Sequence, residues 1–300
     1  MNETEELINI MQGNLALCES DKDLYASIIQ TRKDQKLIRE KDRLEQPVKE
    51  YSIPAKIVIQ RKRTLESAGE YKGSKIAVLN FANAYYPGGG CLIGAKAQEE
   101  CLCRCSTLYE SLIAPDMLEN FYNRHRQKKN KYGFSDIIYS PDIQVIMTDT
   151  SIPKIIDKAD RYSVNILTCA APDLSKAKFI NRRELLKVLY DRCDKIFQIA
   201  ACEGNEVLIL GAFGCGVFNN PPEIVAKVMM SLAKKYRYCF KAIVFAVYDK
   251  IGQTKNYITF LKTYLNSDLC IKNFNERIEN FYGSSNNRPD RTEQNRSTQR

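Results

Sequence analysis

The chain has 300 residues, 44% hydrophobic and 27% charged, a soluble globular composition that excludes wholesale disorder. No apolar run approaches the roughly 20 residues needed to cross a bilayer, and the acidic opening MNETEELINI lacks the basic and apolar regions of a secretory signal. No membrane partner is expected, and the chain reads as cytoplasmic or nuclear. Forty-five Lys and Arg against 36 Asp and Glu give a net charge of +9, which favours a polyanionic or phosphorylated partner.

Residues 1–53 read as a helical N-terminal extension. They include a charged run, Arg32 to Arg43, with few apolar anchors, and Pro47 and Pro54 break any helix there. Residues 54–282 then alternate apolar runs with helical patterns, as one α/β domain. Strands are expected at Lys56–Gln60, Lys75–Ala82, Gln144–Met147, Ser163–Cys169, Glu206–Gly211 and Lys241–Val247. Helices are expected at Gln98–Leu112, Pro115–Gln127, Asn181–Cys202, Pro222–Lys235 and Thr254–Asn266. Runs such as Ile76-Ala-Val-Leu and Val207-Leu-Ile-Leu are apolar without alternation, as strands buried on both faces are. With helices between them, they predict a three-layer α/β/α sandwich around a mixed central sheet. From residue 283 the sequence is polar and cannot bury enough surface to offset chain entropy, so a disordered tail is expected over 283–300.

Eleven cysteines and one histidine, His125, are present. Cys101, Cys103 and Cys105 form no C-x-x-C pair, so zinc-ligand spacing is absent, and without an export signal a disulfide framework is not expected. Buried free thiols are the simpler reading, with no metal site.

Two glycine-rich loops carry the chemical signal. The first follows the buried strand at 75–82: Asn80-Phe-Ala-Asn83 leads into Gly88, Gly89 and Gly90, and then Gln98-Glu99-Glu100 opens a helix. Three adjacent glycines carry a large entropic cost, understandable where backbone must approach a ligand at the carboxyl end of a strand. The second follows the strand at 206–211: Gly211, Gly214 and Gly216 precede Asn219, Asn220 and a proline-started helix. Its amides suit an anion nest, and the helix start adds a positive dipole end. Neither a P-loop nor a dinucleotide fingerprint is present. Together the loops point to a diphosphate ligand. Glu99 and Glu100 sit where a helix dipole lowers carboxyl pKa values, whereas a general acid needs burial and nearby negative charge to raise one.

The stretch NFANAYYPGGGCLIGAKAQEE resembles the signature of microbial-type poly(ADP-ribose) glycohydrolases, and LGAFGCGVFNNPP resembles their diphosphate loop; Ile138 to Asp142 and Thr168 to Asp173 also look like that family. The resemblance spans about Pro54 to Leu265 and implies a macrodomain fold. It implies cleavage of ribose–ribose O-glycosidic bonds in poly(ADP-ribose), releasing ADP-ribose, without metal or organic cofactor. By the same resemblance Glu100 is the catalytic acid and Glu99 holds ribose hydroxyls on the leaving side. Asn83 binds the distal ribose, with Gln98 beside it among the substrate-binding residues, and Gly88, Gly89 and Gly90 let the loop approach. Gly214, Cys215, Gly216 and Val217 cradle the diphosphate by backbone N–H, and Phe218 packs on the distal ribose. The partners expected are poly(ADP-ribose) or ADP-ribosylated protein as substrate, with nucleic acid only as an ADP-ribosylated substrate, for a monomeric enzyme. The alternatives are a mono-ADP-ribosyl or O-acetyl-ADP-ribose hydrolase, and a non-hydrolysing ADP-ribose reader; the intact carboxylate pair separates enzyme from reader.

Overall fold

The structure, a computed structural model, describes residues 2–47, 50–127, 131–177, 179–249, 255–267 and 278. Helices α1 (Glu3–Ser20) and α2 (Lys22–Asp34) open the chain, each started by a side-chain cap, Asn2 and Asp21. Strand β1 (Lys36–Ile38) follows, then β2 (Lys56–Gln60), α3 (Thr64–Gly69), β3 (Ile76–Phe81), α4 (Gln98–Cys105), α5 (Leu108–Leu112), α6 (Pro115–Met117) and α7 (Arg124–Gln127). The second half holds β4 (Ile137–Val145), β5 (Tyr162–Cys169), α8 (Arg182–Cys202), β6 (Val207–Leu210), α9 (Pro222–Lys235), β7 (Ala242–Ala246) and α10 (Asn256–Leu265).

Seven strands form one sheet in the order β1-β4-β5-β3-β6-β7-β2. From β5 to β2 every pairing is parallel, while β4 runs antiparallel to both β5 and β1. The unbroken apolar runs of the central strands now have a cause. Ala77, Leu79, Leu208, Leu210, Ile243 and Phe245 face the α8–α9 layer, and Ile76, Val78, Val207, Ile209, Ala242 and Val244 face the opposite one. Alternate side chains of one strand thus fill two cores, so both parities must be apolar.

Four expectations are corrected. The charged run at 32–43 conceals β1, because Lys36-Leu-Ile needs only Ile38 buried at a sheet edge. The helix expected over Gln98–Leu112 breaks at Ser106, whose backbone is extended and bridges to Val145. The strand expected at Gln144–Met147 begins seven residues earlier. Pro141 and Asp142 are absorbed as a bulge, with Asp142 left-handed (φ 52°) and its N–H donated to Asn165 Oδ1 at 3.0 Å. Helix α3 also went unforeseen. The tail at 283–300 lies outside the described residues. Residues 3–38 are packed into the same body: Leu24 and Ile28 share a core with Cys103 and Ile138.

Candidate active site

Because β2, β3, β5, β6 and β7 run parallel, their carboxyl ends open on one edge of the sheet, where ligands of such folds bind. A cavity of about 360 Å³ lies there, and each of these strands contributes the residues that follow it: Asn83 after β3, Ala171 after β5, Gly214 after β6, Val247 after β7 and Arg63 after β2. Of the residues singled out by sequence, Asn83, Gln98, Glu99, Glu100, Gly214, Gly216, Val217 and Phe218 line this one cavity. The two loops, more than 120 positions apart in the sequence, converge.

The first loop folds back on the carboxylate pair. Gly88 and Gly89 are left-handed (φ 68° and 56°). A Cβ on Gly89 would stand 2.4 Å from Glu100 Oε1 and 3.2 Å from Glu99 Oε2, so only a glycine fits. Gly88 is closed in by Cys91, Cys103 and Tyr109. The Gly90 N–H donates to Glu100 Oε1 at 3.0 Å, while Glu100 Oε2 is buried with no hydrogen-bond partner. Glu99 is the reverse case, with both oxygens held: Oε2 accepts from the Asn83 N–H at 2.7 Å and Oε1 from Asn80 Nδ2 at 3.2 Å. Burial pushes the Glu99 carboxyl up to about 8, reinforced by the Glu100 charge and opposed by those two hydrogen bonds. Desolvation therefore beats the helix dipole at Glu99. Asn83 spends its own carbonyl on the N–H groups of Tyr85 and Tyr86 (2.8 and 3.0 Å), so only its amide NH2 can serve a ligand.

Gln98 is held by the protein at both ends of its amide. Its Oε1 accepts from the Phe81 N–H at 2.9 Å, and its Nε2 donates to the Leu79 carbonyl at 2.8 Å and to Thr64 Oγ1 at 3.2 Å. Both ends of the amide are spent on protein, welding the start of α4 to β3. Gln98 thus stands fixed beside the carboxylates while also lining the cavity. Asn80, which also orients Glu99 and donates to Thr168 Oγ1 at 3.2 Å, was not singled out; its signal is a polar residue in an otherwise apolar buried strand.

In the second loop the N–H of Cys215 donates to the Ala212 carbonyl at 3.0 Å, and its thiol packs against the core, where burial pushes it up to about 12. The expected four-amide cradle is corrected on this point. Among the described residues, the N–H groups of Gly214, Gly216, Val217 and Phe218 donate to no protein acceptor. Asn220, buried beneath, donates Nδ2 to the carbonyls of Pro172 (2.7 Å) and Gly214 (3.1 Å). It ties this loop to the segment after β5. A Cβ on Gly214 would meet Ala171 and Asn220 within 2.5 Å, whereas Gly216 has open space above it.

Arg63 closes the far side of the cavity. Its guanidinium lies 4.3 Å from the Tyr248 ring centroid and 3.9 Å from Asp149 Oδ1. In the sequence it is the last of three consecutive basic residues, Arg61-Lys62-Arg63. Among the described residues no group of three or more His, Cys, Asp or Glu could hold a metal ion, and no helix is long and apolar enough to cross a membrane.

Residues 3–148 match the family described as microbial-type PARG, catalytic domain, where PARG is poly(ADP-ribose) glycohydrolase. Among solved structures, PARG from Thermomonospora curvata is 28% identical with a TM-score of 0.77, over 86% of this chain and 99% of that one. PARG from Deinococcus radiodurans in complex with ADP-ribose is 30% identical with a TM-score of 0.69, over 78% of this chain and 96% of that one. The chain belongs to the microbial-type PARG family. The T. curvata protein has also been solved with the inhibitor ADP-HPD, a match at a TM-score of 0.74. No curated protein sequence matches the chain. The macrodomain-like fold implied by the signature is thereby shown, and residues 3–148 place α1 and α2 inside the PARG match along with the whole first loop.

Proposed function

We propose that the chain hydrolyses poly(ADP-ribose), cleaving ribose–ribose O-glycosidic bonds and releasing ADP-ribose, with Glu100 as the general acid. One observation carries the assignment: a cavity with unpaired backbone N–H groups on one wall and, on the other, a buried carboxyl oxygen, Glu100 Oε2, that no protein group satisfies. The diphosphate accepts from the N–H groups of Gly216, Val217 and Phe218, with Arg63 supplying positive charge from the cavity wall. The Asn83 amide NH2 and the Phe218 ring hold the distal ribose, and Glu99 meets the hydroxyls on the leaving side.

As general acid Glu100 enters the reaction protonated, a form that the negative charge of the incoming diphosphate favours. As the bond between the anomeric carbon and the leaving oxygen breaks, Glu100 gives its proton to that oxygen. Water then adds to the oxocarbenium-like carbon and returns a proton to the Glu100 carboxylate. Binding the ribose on both sides supplies orientation, and proton delivery typically contributes 10²–10⁴ in rate.

The test is incubation with automodified poly(ADP-ribose) polymerase, measuring free ADP-ribose. Release by the wild type, cut about 10²–10⁴-fold in Glu100→Gln, is expected. Unchanged polymer, or full activity in Glu100→Gln, would contradict the assignment, and ADP-ribose binding without turnover would mark a reader.

A further inference from the structure

Two thiols meet beneath the first glycine loop. Cys91 opens the short 3-10 turn Cys91–Ile93, and Cys103 lies in α4 one turn after Glu99 and Glu100. Both are free and fully buried. A Cβ on Gly88 would stand 2.9 Å from the Cys91 sulfur and 3.1 Å from the Cys103 sulfur, so the two sulfurs converge on one point under the loop. They are in hydrogen-bond contact. That contact holds the Cys91 thiol below its ordinary value, with Arg104 and the Leu92 backbone assisting and burial and Glu100 opposing. Burial and the same contact push Cys103 well above its own. Arg104 is 1% exposed, with Nε and Nη1 unpaired, the kind of buried cation that favours a thiolate beside it.

We propose that Cys91 and Cys103 are a redox pair that a peroxide closes into a disulfide, unseating Glu100 until a thiol reductant reopens it. The Cys91 thiolate attacks one oxygen of hydrogen peroxide, the O–O bond breaks, and the departing hydroxide takes up the proton Cys91 released, as water. The Cys103 sulfur then attacks the sulfenic sulfur of Cys91; the S–S bond forms, the S–O bond breaks, and the oxygen leaves with the Cys103 proton as a second water. Two thiols are oxidised and one peroxide is reduced. Both sulfurs are shut from solvent, so peroxide reaches them as the loop opens locally. The effect on the site follows from what the sulfurs are attached to. Gly90, next to Cys91, donates its N–H to Glu100 Oε1 at 3.0 Å, and Gly89 lies against the same carboxyl. Bringing the sulfurs from contact to a bond of about 2.0 Å draws the 3-10 turn toward α4 and shifts both glycines against the acid. The proposal rests on the hydrolase reading for its effect on turnover, not for the bond itself.

The experiment treats the reduced wild type with hydrogen peroxide, blocks remaining thiols with N-ethylmaleimide and digests with trypsin without reductant. Trypsin cuts after Lys96 and Arg104, so a Cys91–Cys103 bond joins two separate peptides, whose fragment ions distinguish Cys103 from Cys101. That linked pair is expected. Release of ADP-ribose from polymer is expected to fall on the order of 10²-fold, the cost of a misplaced catalytic group, and to return with dithiothreitol. Cys103→Ala is expected to match the reduced wild type in turnover and to keep that turnover in peroxide, although the exposed Cys202 and half-buried Cys215 remain. Absence of the linked peptide, a linked protein with undiminished turnover, or equal peroxide sensitivity in Cys103→Ala overturns the proposal. Mapping and reversal in the wild type decide it even where Cys103→Ala fails to fold. A reduced wild type that releases no ADP-ribose sinks the hydrolase reading, and the linked peptide, read without turnover, still decides the pair.

Discussion

Glu99 and Glu100 are neighbours in sequence yet sit in opposite electrostatic circumstances. Glu99 is 2% exposed with both oxygens bonded, and Glu100, 8% exposed, keeps one oxygen unpaired. Folded Glu99 keeps its proton up to about pH 8, against an ordinary carboxyl value of 4.5. Between those values the native state binds more protons than the unfolded one, so stability falls as pH rises. Glu99→Gln removes this penalty: its melting temperature relative to wild type is expected to rise steadily from pH 5 to pH 8.5, and a pH-independent difference would contradict the assignment. The glycines differ in the same residue-specific way. Gly89→Ala drives a methyl into Glu100 from a left-handed backbone, and a misplaced acid should cost on the order of 10² in kcat. Gly216→Ala, with open space above and no left-handed φ, should fold as wild type in a thermal melt.

At the scale of elements, the site exists because α4 is fixed to β3. Gln98 takes over where the β3–β6 ladder ends at Val78, pairing with the Phe81 N–H and the Leu79 carbonyl. Gln98→Ala strands those two buried groups, a loss of about 1–3 kcal/mol each at most. It should lower both the melting temperature and kcat while leaving ADP-ribose affinity largely intact; unchanged kcat would show that the weld does not position the acid. This coupling also shows what was legible in sequence. The glycine spacing and the Glu pair were readable because chemistry fixes them locally: left-handed backbone at Gly88 and Gly89, a carboxylate pair at a helix start. The roles of Gln98, Asn80, Asn220 and Arg63 were not, because each depends on a partner brought in from elsewhere in the chain. The strands buried on both faces were legible by composition alone. The short β1 and the bulged start of β4 were not, since an edge strand needs one buried residue and a Pro-Asp step mimics a turn.

At the scale of the whole molecule, α1 and α2 belong to the catalytic body. Asn14 in α1 is buried and donates Nδ2 to the carbonyls of Arg104 and Ser106 (3.0 and 3.1 Å), at the carboxyl end of α4. Asn14→Ala leaves those carbonyls short of a donor, and a loss of about 1–3 kcal/mol is expected in denaturant unfolding. An unchanged midpoint would show that α1 is dispensable. The net charge of +9 acts over the whole surface. Polymer carries many phosphates and a single ADP-ribose two, so kcat/KM on polymer should fall with ionic strength more steeply than on an ADP-ribosylated peptide. Parallel salt profiles would assign no role to the global field.

The central claim is that one pyrophosphate, held by the second loop, sets a glycosidic oxygen against Glu100. The most direct measurement is a crystal structure of the Glu100→Gln protein with a dimer of ADP-ribose. The account predicts diphosphate oxygens within about 3 Å of the Gly216 and Val217 N–H groups, with the bridging ribose oxygen at hydrogen-bonding distance from the side chain at position 100. A dimer seated elsewhere, or one whose bridging oxygen faces solvent away from that side chain, would contradict it.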